Sequence, residues 1–317
     1  MAEQMNKTAL VLGATGDVGG CLSEQLLARG WTIRALTRDA SRAAAGRDPA
    51  IVWINGDAMD REAVVKAAEG CSLIVHAVNP PGYRDWDKLV LPMMDNSIAA
   101  AKAAGARVLL PGTVYNYGPD AFPTLREDAP QRPLTRKGKI RVAMERRLKE
   151  SGVPALVVRA GDFFGGRNGG SSWFAQGLVK PREPLAAVTQ PGRRGVGHAW
   201  AYLPDLTEAM AELIERTPAE GFQTFHFAGH YDADGGQVVE AIRKAAGRNL
   251  KVKAFPWLLV VLLAPAVALF REMLEMRYLW REPLRLDNAR LVAVLGREPH
   301  TPLDEAVATT LRRLHCL

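Results

Sequence analysis

Thr8-Ala9-Leu10-Val11-Leu12-Gly13-Ala14-Thr15-Gly16-Asp17-Val18-Gly19 is the stretch on which the reading of this chain turns. A short apolar run, Thr8 to Leu12, ends in glycines, and Val18 to Arg29 then carries helical spacing that Gly30 closes. A glycine triplet alone says little, but between a strand and a helix it has a physical use. Gly13 permits the tight turn, Gly16 lets the backbone approach a pyrophosphate, and Gly19 lets the helix lie close to the sheet. The free amide N–H groups and the dipole at the helix start then favour an anion. Thr15, Asp17 and Val18 complete the loop as further candidate contacts.

Working outward, apolar runs alternate with amphipathic stretches, the pattern of a parallel sheet with crossover helices. Strands are expected at Thr32–Thr37, Ile51–Asn55, Ser72–His76, Arg107–Leu110 and Pro154–Arg159. Helices are expected at Asp60–Glu69, Trp86–Ala104 and Thr135–Ser151. Beyond Arg159 the pattern loosens into a glycine-rich loop, Gly165-Gly166-Arg167-Asn168-Gly169-Gly170, and shorter elements. Gly221–Ala228 reads as a late strand and Gly236–Gly247 as a helix. The fold class is therefore α/β: a doubly wound parallel Rossmann sheet with a smaller, interleaved C-terminal substrate lobe. Residues 1–160 form the nucleotide domain, rejoined by about 218–248, and residues 161–217 and 249–317 form the lobe.

Composition narrows the function classes. The chain has 317 residues, 48% hydrophobic and 24% charged, which argues for a folded globular protein. A net charge of +7 suits an anionic partner, but the basic residues are scattered and stand beside no aromatic stacking run, which argues against nucleic acid. Cys21, Cys71 and Cys316 are odd in number and far apart, giving neither a disulfide framework nor metal-ligand spacing. Met1 to Lys7 lacks the apolar core of a signal peptide, so a cytoplasmic location is expected.

The spacing Gly-x-x-Gly-x-x-Gly, set after a strand, resembles the extended and atypical short-chain dehydrogenase/reductase superfamily, which includes epimerases and dehydratases. Several other stretches carry the same resemblance. Asp57 matches an adenine-contacting aspartate, and His76-Ala77-Val78 matches the segment beneath the cofactor, with Ala77 as its contact. Tyr202-Leu203-Pro204-Asp205 matches an aromatic-x-x-Asp helix start. Leu286-Asp287, Leu295-Gly296 and Pro299-His300-Thr301-Pro302-Leu303 match the terminal pattern of the substrate lobe.

The resemblance implies a nicotinamide cofactor, and the end of the second strand says which. NAD sites want a carboxylate there, whereas an arginine holds the 2′-phosphate of NADP. This chain has Thr37-Arg38, with Arg34 and Arg42 nearby and Asp39 as the dissenting charge, so NADP(H) is favoured with NAD left open. Reductases of the superfamily use a Ser/Thr hydroxyl after the fifth strand and a Tyr-x-x-x-Lys pair on the next helix. Thr113 takes the hydroxyl position. Aligned through Glu145, Lys137 falls on the tyrosine and Arg141 on the lysine. Arg141 can hold a ribose hydroxyl but cannot exchange protons. The proton donor is then expected to be Tyr115 or Tyr117 on the loop after the fifth strand, ahead of Lys137, which beside Lys139 and Arg141 is expected to point partly to solvent.

His198, His226 and His230 are alternative acids, and Phe163, Phe164, Trp173, Tyr83 and Trp86 are candidate pocket walls. Residues 254–270 are apolar throughout but short for a span and broken by Pro256 and Pro265. A buried or interface helix is expected there, with peripheral membrane contact and a homodimer left open. Two functions stand: an oxidoreductase or epimerase-like enzyme acting on a small or amphipathic carbonyl or hydroxyl compound, and a catalytically weak NADP(H)-binding regulatory sensor.

Overall fold

The computed structural model describes residues 6–80, 85–167 and 172–317. The chain builds β1 (Thr8–Leu12), α1 (Asp17–Ala28), β2 (Thr32–Thr37), α2 (Ala40–Ala44), β3 (Ile51–Asn55), α3 (Arg61–Ala67) and β4 (Leu73–His76). There follow α4 (Trp86–Ala104), β5 (Arg107–Thr113), β6 (Thr124–Leu125), α5 (Arg136–Glu150), β7 (Ala155–Ala160) and β8 (Asp162–Phe164). Then come β9 (Ala187–Gln190), β10 (His198–Tyr202), α6 (Leu203–Arg216), β11 (Phe222–His226), β12 (His230–Asp232) and α7 (Gln237–Ala246). The chain closes with β13 (Lys251–Ala254), α8 (Trp257–Leu263), α9 (Ala268–Glu275), β14 (Arg285–Leu286), α10 (Ala289–Leu295) and α11 (Leu303–Arg313).

The main sheet has seven strands in the order β11-β7-β5-β4-β1-β2-β3, and every pairing in it is parallel. Alternation along β1 sets its two faces. Ala9 and Val11 join Leu22, Leu26 and Leu206 in one core, beneath α1 and α6. Leu10 and Leu12 join Val64, Met94 and Met144 in the other, beneath α3, α4 and α5. Both faces are covered, as a parallel sheet requires. The strand order reverses between β1 and β4, and the crevice at their carboxyl ends is where this architecture binds ligands.

A third core gathers Phe164, Phe174, Trp200, Ile242, Trp280 and Leu311 between the three-stranded sheet β12-β10-β8, α7 and α11. The boundary near residue 160 is crossed more than once. Helix α6, from segment 161–217, packs on α1, and strand β11 extends the main sheet, whereas α7 packs on α11 within the third core. Asp205 explains one such tie: its carboxylate accepts from the Thr301 backbone N–H and hydroxyl, both at 2.7 Å, fixing the start of α6 to the terminal segment.

The apolar segment, expected as one buried or interface helix, forms two short helices with an exposed apolar face. It breaks near Pro265 into α8 and α9, and Leu258 and Leu262 stand 75% and 67% exposed. Proline lacks the N–H that would have continued the helix. Among the described residues no helix is long and apolar enough to cross a membrane.

Candidate functional site

The glycine loop is shaped by close approaches that no side chain could share. Gly13 has φ +92°, and a Cβ on it would meet the Ala77 carbonyl oxygen at 2.5 Å. A Cβ on Gly19 would run into the Gly13 carbonyl, so α1 lies against the turn itself. Gly16 caps α1, and a hydrogen bond of 2.9 Å from its N–H to the Gly13 carbonyl closes the turn. Ala77 continues β4 through a bond to the Leu12 carbonyl (2.9 Å), which holds the floor beside the loop. A Cβ on Gly166 would run into the Asp17 side chain, so the glycine-rich loop after β8 crosses the start of α1. Residues 168–170 of that loop and Tyr83 lie outside the described residues.

Beyond β2 opens a cleft of about 350 Å³ lined by Thr15, Thr37, Arg38, Asp39, Arg42 and Arg47. Arg38 makes no hydrogen bond or ion pair among the described residues, whereas Arg47 reaches back to the Thr15 carbonyl at 3.1 Å. Asp39 caps α2, accepting from the Arg42 backbone N–H (3.0 Å) and the Ser41 hydroxyl (2.9 Å). These bonds hold its carboxyl below the usual range, the backbone bond from Arg42 most strongly. Arg34 belongs elsewhere: it donates to the Glu69 carbonyl at 2.6 Å. Asp57 is exposed after β3 and accepts from the Met59 N–H at 2.9 Å. Sequence reasoning missed Arg47, which comes to the cleft because α2 is only five residues long and the chain turns back past the glycine loop.

At the other end of the crevice, His76 is buried with Nδ1 at 2.7 Å from the Ser97 hydroxyl. Burial, and then the neighbouring Arg141 charge, push it down to about 3, so it is neutral at physiological pH. The Arg141 guanidinium lies 5.1 Å over the buried Trp86 ring. Thr113 ends β5 with its hydroxyl accepting from the Tyr115 N–H at 3.3 Å, and Tyr115 is half-buried. The Tyr115 carbonyl abuts Gly138, where a Cβ would clash with it, so this loop sits on the first turn of α5.

Lys137 and Tyr117 differ from expectation. Lys137 is 1% exposed. Its Nζ donates to the Glu272 carbonyl at 2.6 Å and lies 2.8 Å from the Glu272 carboxylate. Burial lowers its pKa, and the bond and charge of Glu272 oppose that shift. A lysine beside Lys139 and Arg141 is kept from solvent because α9 covers the start of α5 and brings its own carboxylates. Tyr117 is fully buried, with its hydroxyl accepting from Arg159 at 2.6 Å and 2.8 Å from His226 Nε2. Burial raises this phenol well above its ordinary value. Arg159 in turn pairs with Glu145 at 2.6 Å, and Glu145 accepts from Asn116 at 2.9 Å. Tyr117 is thus a member of a buried polar network, satisfied on its own terms.

The three histidines are also committed, His226 at the end of β11 in the main sheet and His198 and His230 in the three-stranded sheet. Burial pushes His226 down to about 3 and His230 to about 4, so neither is an acid near neutrality. His198 sits 2.8 Å from Asp162 and stacks on Trp280 with ring centroids 3.8 Å apart. Phe164 stacks on Phe174 at 5.4 Å, and Trp173 packs against Phe255, Trp257 and Trp280. These aromatics build the lobe core; Phe163 packs against the nucleotide-domain core.

With this geometry in view, residues 13–183, more than half the chain, match the NAD(P)H-binding family. The chain belongs to that family. The glycine cradle fits such a cofactor: the loop has no room for side chains, and the cleft beyond it is cationic. The chain is similar to the 3-diazoavenalumate denitrifying reductase of a Streptomyces species, 32% identical over 186 residues, with 51% of this chain and 60% of that protein covered. It therefore spans less than two thirds of that relative. Among solved structures it resembles a UDP-glucose-4-epimerase from Stenotrophomonas maltophila with bound NAD and formylated UDP-arabinopyranose (TM-score 0.75, 14% identity, 97% and 98% covered). It also resembles a UDP-glucose 4-epimerase from Bifidobacterium longum in complex with NAD+ and UDP (TM-score 0.71, 16% identity, 98% and 100% covered). At such identities the likeness establishes a common fold and nothing further.

Proposed function

We propose that the protein is an NADP(H)-dependent reductase acting on the carbonyl group of a small or amphipathic compound. The carrying observation is the cleft at the end of β2, where Arg38, Arg42 and Arg47 converge while Asp39 is occupied in capping α2. An arginine cluster there matches a 2′-phosphate, while the Asp39 carboxylate is engaged through Oδ1 at the start of α2. The similar Streptomyces protein is named a reductase, which supports the same direction of chemistry.

When bound, NADPH supplies a hydride to a substrate carbon. The chain's own residues do the rest. The glycine loop and the start of α1 bind the pyrophosphate through backbone N–H groups. Arg38, Arg42 and Arg47 hold the 2′-phosphate, and Asp57 contacts the adenine. Arg141, seated on Trp86, donates to a nicotinamide-ribose hydroxyl. The Thr113 hydroxyl orients the substrate oxygen, and Tyr115 delivers a proton to it. Tyr117 keeps its place in the Arg159–His226 network, and Lys137 keeps its place beside Glu272.

A second reading, a cofactor-binding sensor without turnover, is favoured by one observation: the position of the usual catalytic tyrosine is filled by a lysine already bound to Glu272. NADPH oxidation against a panel of aldehydes and ketones separates the two. Turnover that Tyr115→Phe removes supports the reductase; no turnover with any carbonyl, alongside tight NADPH binding, selects the sensor.

A further inference from the structure

The surface around α8 has no part in the reading above and has its own chemistry. The helix touches the rest of the protein through Trp257, Val260 and Ala264: Val260 and Ala264 are buried, and the Trp257 indole N–H donates to the Pro191 carbonyl at 2.8 Å. Leu258, Leu259, Val261, Leu262 and Leu263 all project outward, and Val267 and Leu269 extend the patch onto the next turn. Contiguous apolar surface of this kind marks a contact site. The segment is held firmly from within, because Glu272 on α9 pairs with Lys137 at 2.8 Å and with Arg136 at 2.8 Å.

The rim of the patch is basic. Lys251 and Lys253 are exposed on β13, directly before α8. Arg277 lies 5.0 Å over the Trp257 ring, with Arg193 and Arg281 close enough to repel it. Arg271 is exposed at the far end, and Glu282 is the exposed carboxylate of the same segment. Glu272 and Glu275 face inward onto α5.

We infer that this face docks on an anionic lipid bilayer, with α8 lying in the interface and the basic rim against the headgroups. Apolar side chains ringed by lysine and arginine are what such a surface takes up. Seven residues at about 1.5 Å each span ~10 Å, far short of the ~30 Å hydrocarbon core, so the contact is peripheral. A second copy of the chain is a poorer occupant. A two-fold interface centred on α8 sets each basic rim against its own image, and like charges then oppose the apolar gain.

The test is co-sedimentation of the full chain with phosphatidylcholine vesicles, with and without 30% phosphatidylglycerol, and light scattering of the free protein. The expected result is binding at least tenfold stronger to the anionic vesicles, falling as salt rises. The double variant Leu258→Asp, Leu262→Asp should lose at least tenfold of that binding, and Lys251→Glu with Lys253→Glu should lose the anionic preference. Unchanged NADPH affinity shows that the variants are folded. Failure of the wild type to bind anionic vesicles overturns the inference, whether it is then a dimer through this face or a monomer. Equal binding by the Leu→Asp variant overturns it as well. Neither outcome touches the assignment of the cofactor cleft.

Discussion

Replacing Glu272 with Gln tests how Lys137 is held. In the folded chain Nζ lies 2.8 Å from the Glu272 carboxylate and donates to the Glu272 carbonyl at 2.6 Å, in a site where Lys137 is 1% exposed. Breaking a buried pair on one side costs about 3–5 kcal/mol. Here the retained carbonyl acceptor and the nearby Glu275 charge reduce that to roughly 2–3 kcal/mol. At about 2.1 cal/mol/K of unfolding entropy per residue, over 317 residues, the expected drop in Tm is about 3–5 °C. The loss must depend on pH. Burial already sets the folded pKa of Lys137 below its ordinary 10.5, and removing Glu272 lowers it further. The unfolded chain then binds more protons than the folded one, so stability of the variant rises as pH climbs toward 10.5. Urea denaturation at pH 7 and pH 9.5 reads this directly. A Glu272→Gln protein as stable as the parent, or a loss that is the same at both pH values, refutes the pair.

Acid sensitivity follows from three buried histidines, of which His230 falls to about 4. His76 and His226 both fall to about 3 from 6.5, so stability is complete above pH 6.5 and declines below it by about 1.4 kcal/mol per pH unit for each. A denaturation series from pH 7 to 4 that is flat contradicts those assignments. Among candidate proton donors, Tyr115→Phe is expected to lower kcat at least a hundredfold with NADPH affinity unchanged, as measured by steady-state kinetics and titration. Tyr117→Phe should instead cost about 1–3 kcal/mol of stability, because Arg159 and His226 lose a buried partner; a kcat collapse with normal stability would reverse the two roles.

The β strands and the glycine loop were legible because their signals are local. Thr8–Leu12, Thr32–Thr37 and Ile51–Asn55 are bounded by the residues the pattern predicts, since apolar alternation and glycine turns act over a few positions. The arginine at the end of β2 was legible for the same reason. What escaped was contact between distant segments. Lys137 meets Glu272 across 135 positions, and Tyr117 meets His226 across 109, so their burial depends on tertiary packing that no local spacing encodes. Arg47 escaped because a loop, not a periodic element, returns it to the glycine turn. The apolar stretch 254–270 was legible only in part: composition leaves a buried and an interface helix open, and the break near Pro265 and the outward leucines follow from packing against the rest of the chain.

The central claim is that the cleft of Arg38, Arg42 and Arg47 recognises a 2′-phosphate, and paired titrations of NADPH and NADH against the wild-type protein test it most directly. A charge-assisted contact of about 1.5–3 kcal/mol corresponds to roughly ten- to 150-fold tighter binding of NADPH. Arg38→Ala should remove most of that difference and leave NADH affinity as it was. Equal affinity for the two cofactors in the wild type, or an Arg38→Ala protein that weakens both alike, contradicts it.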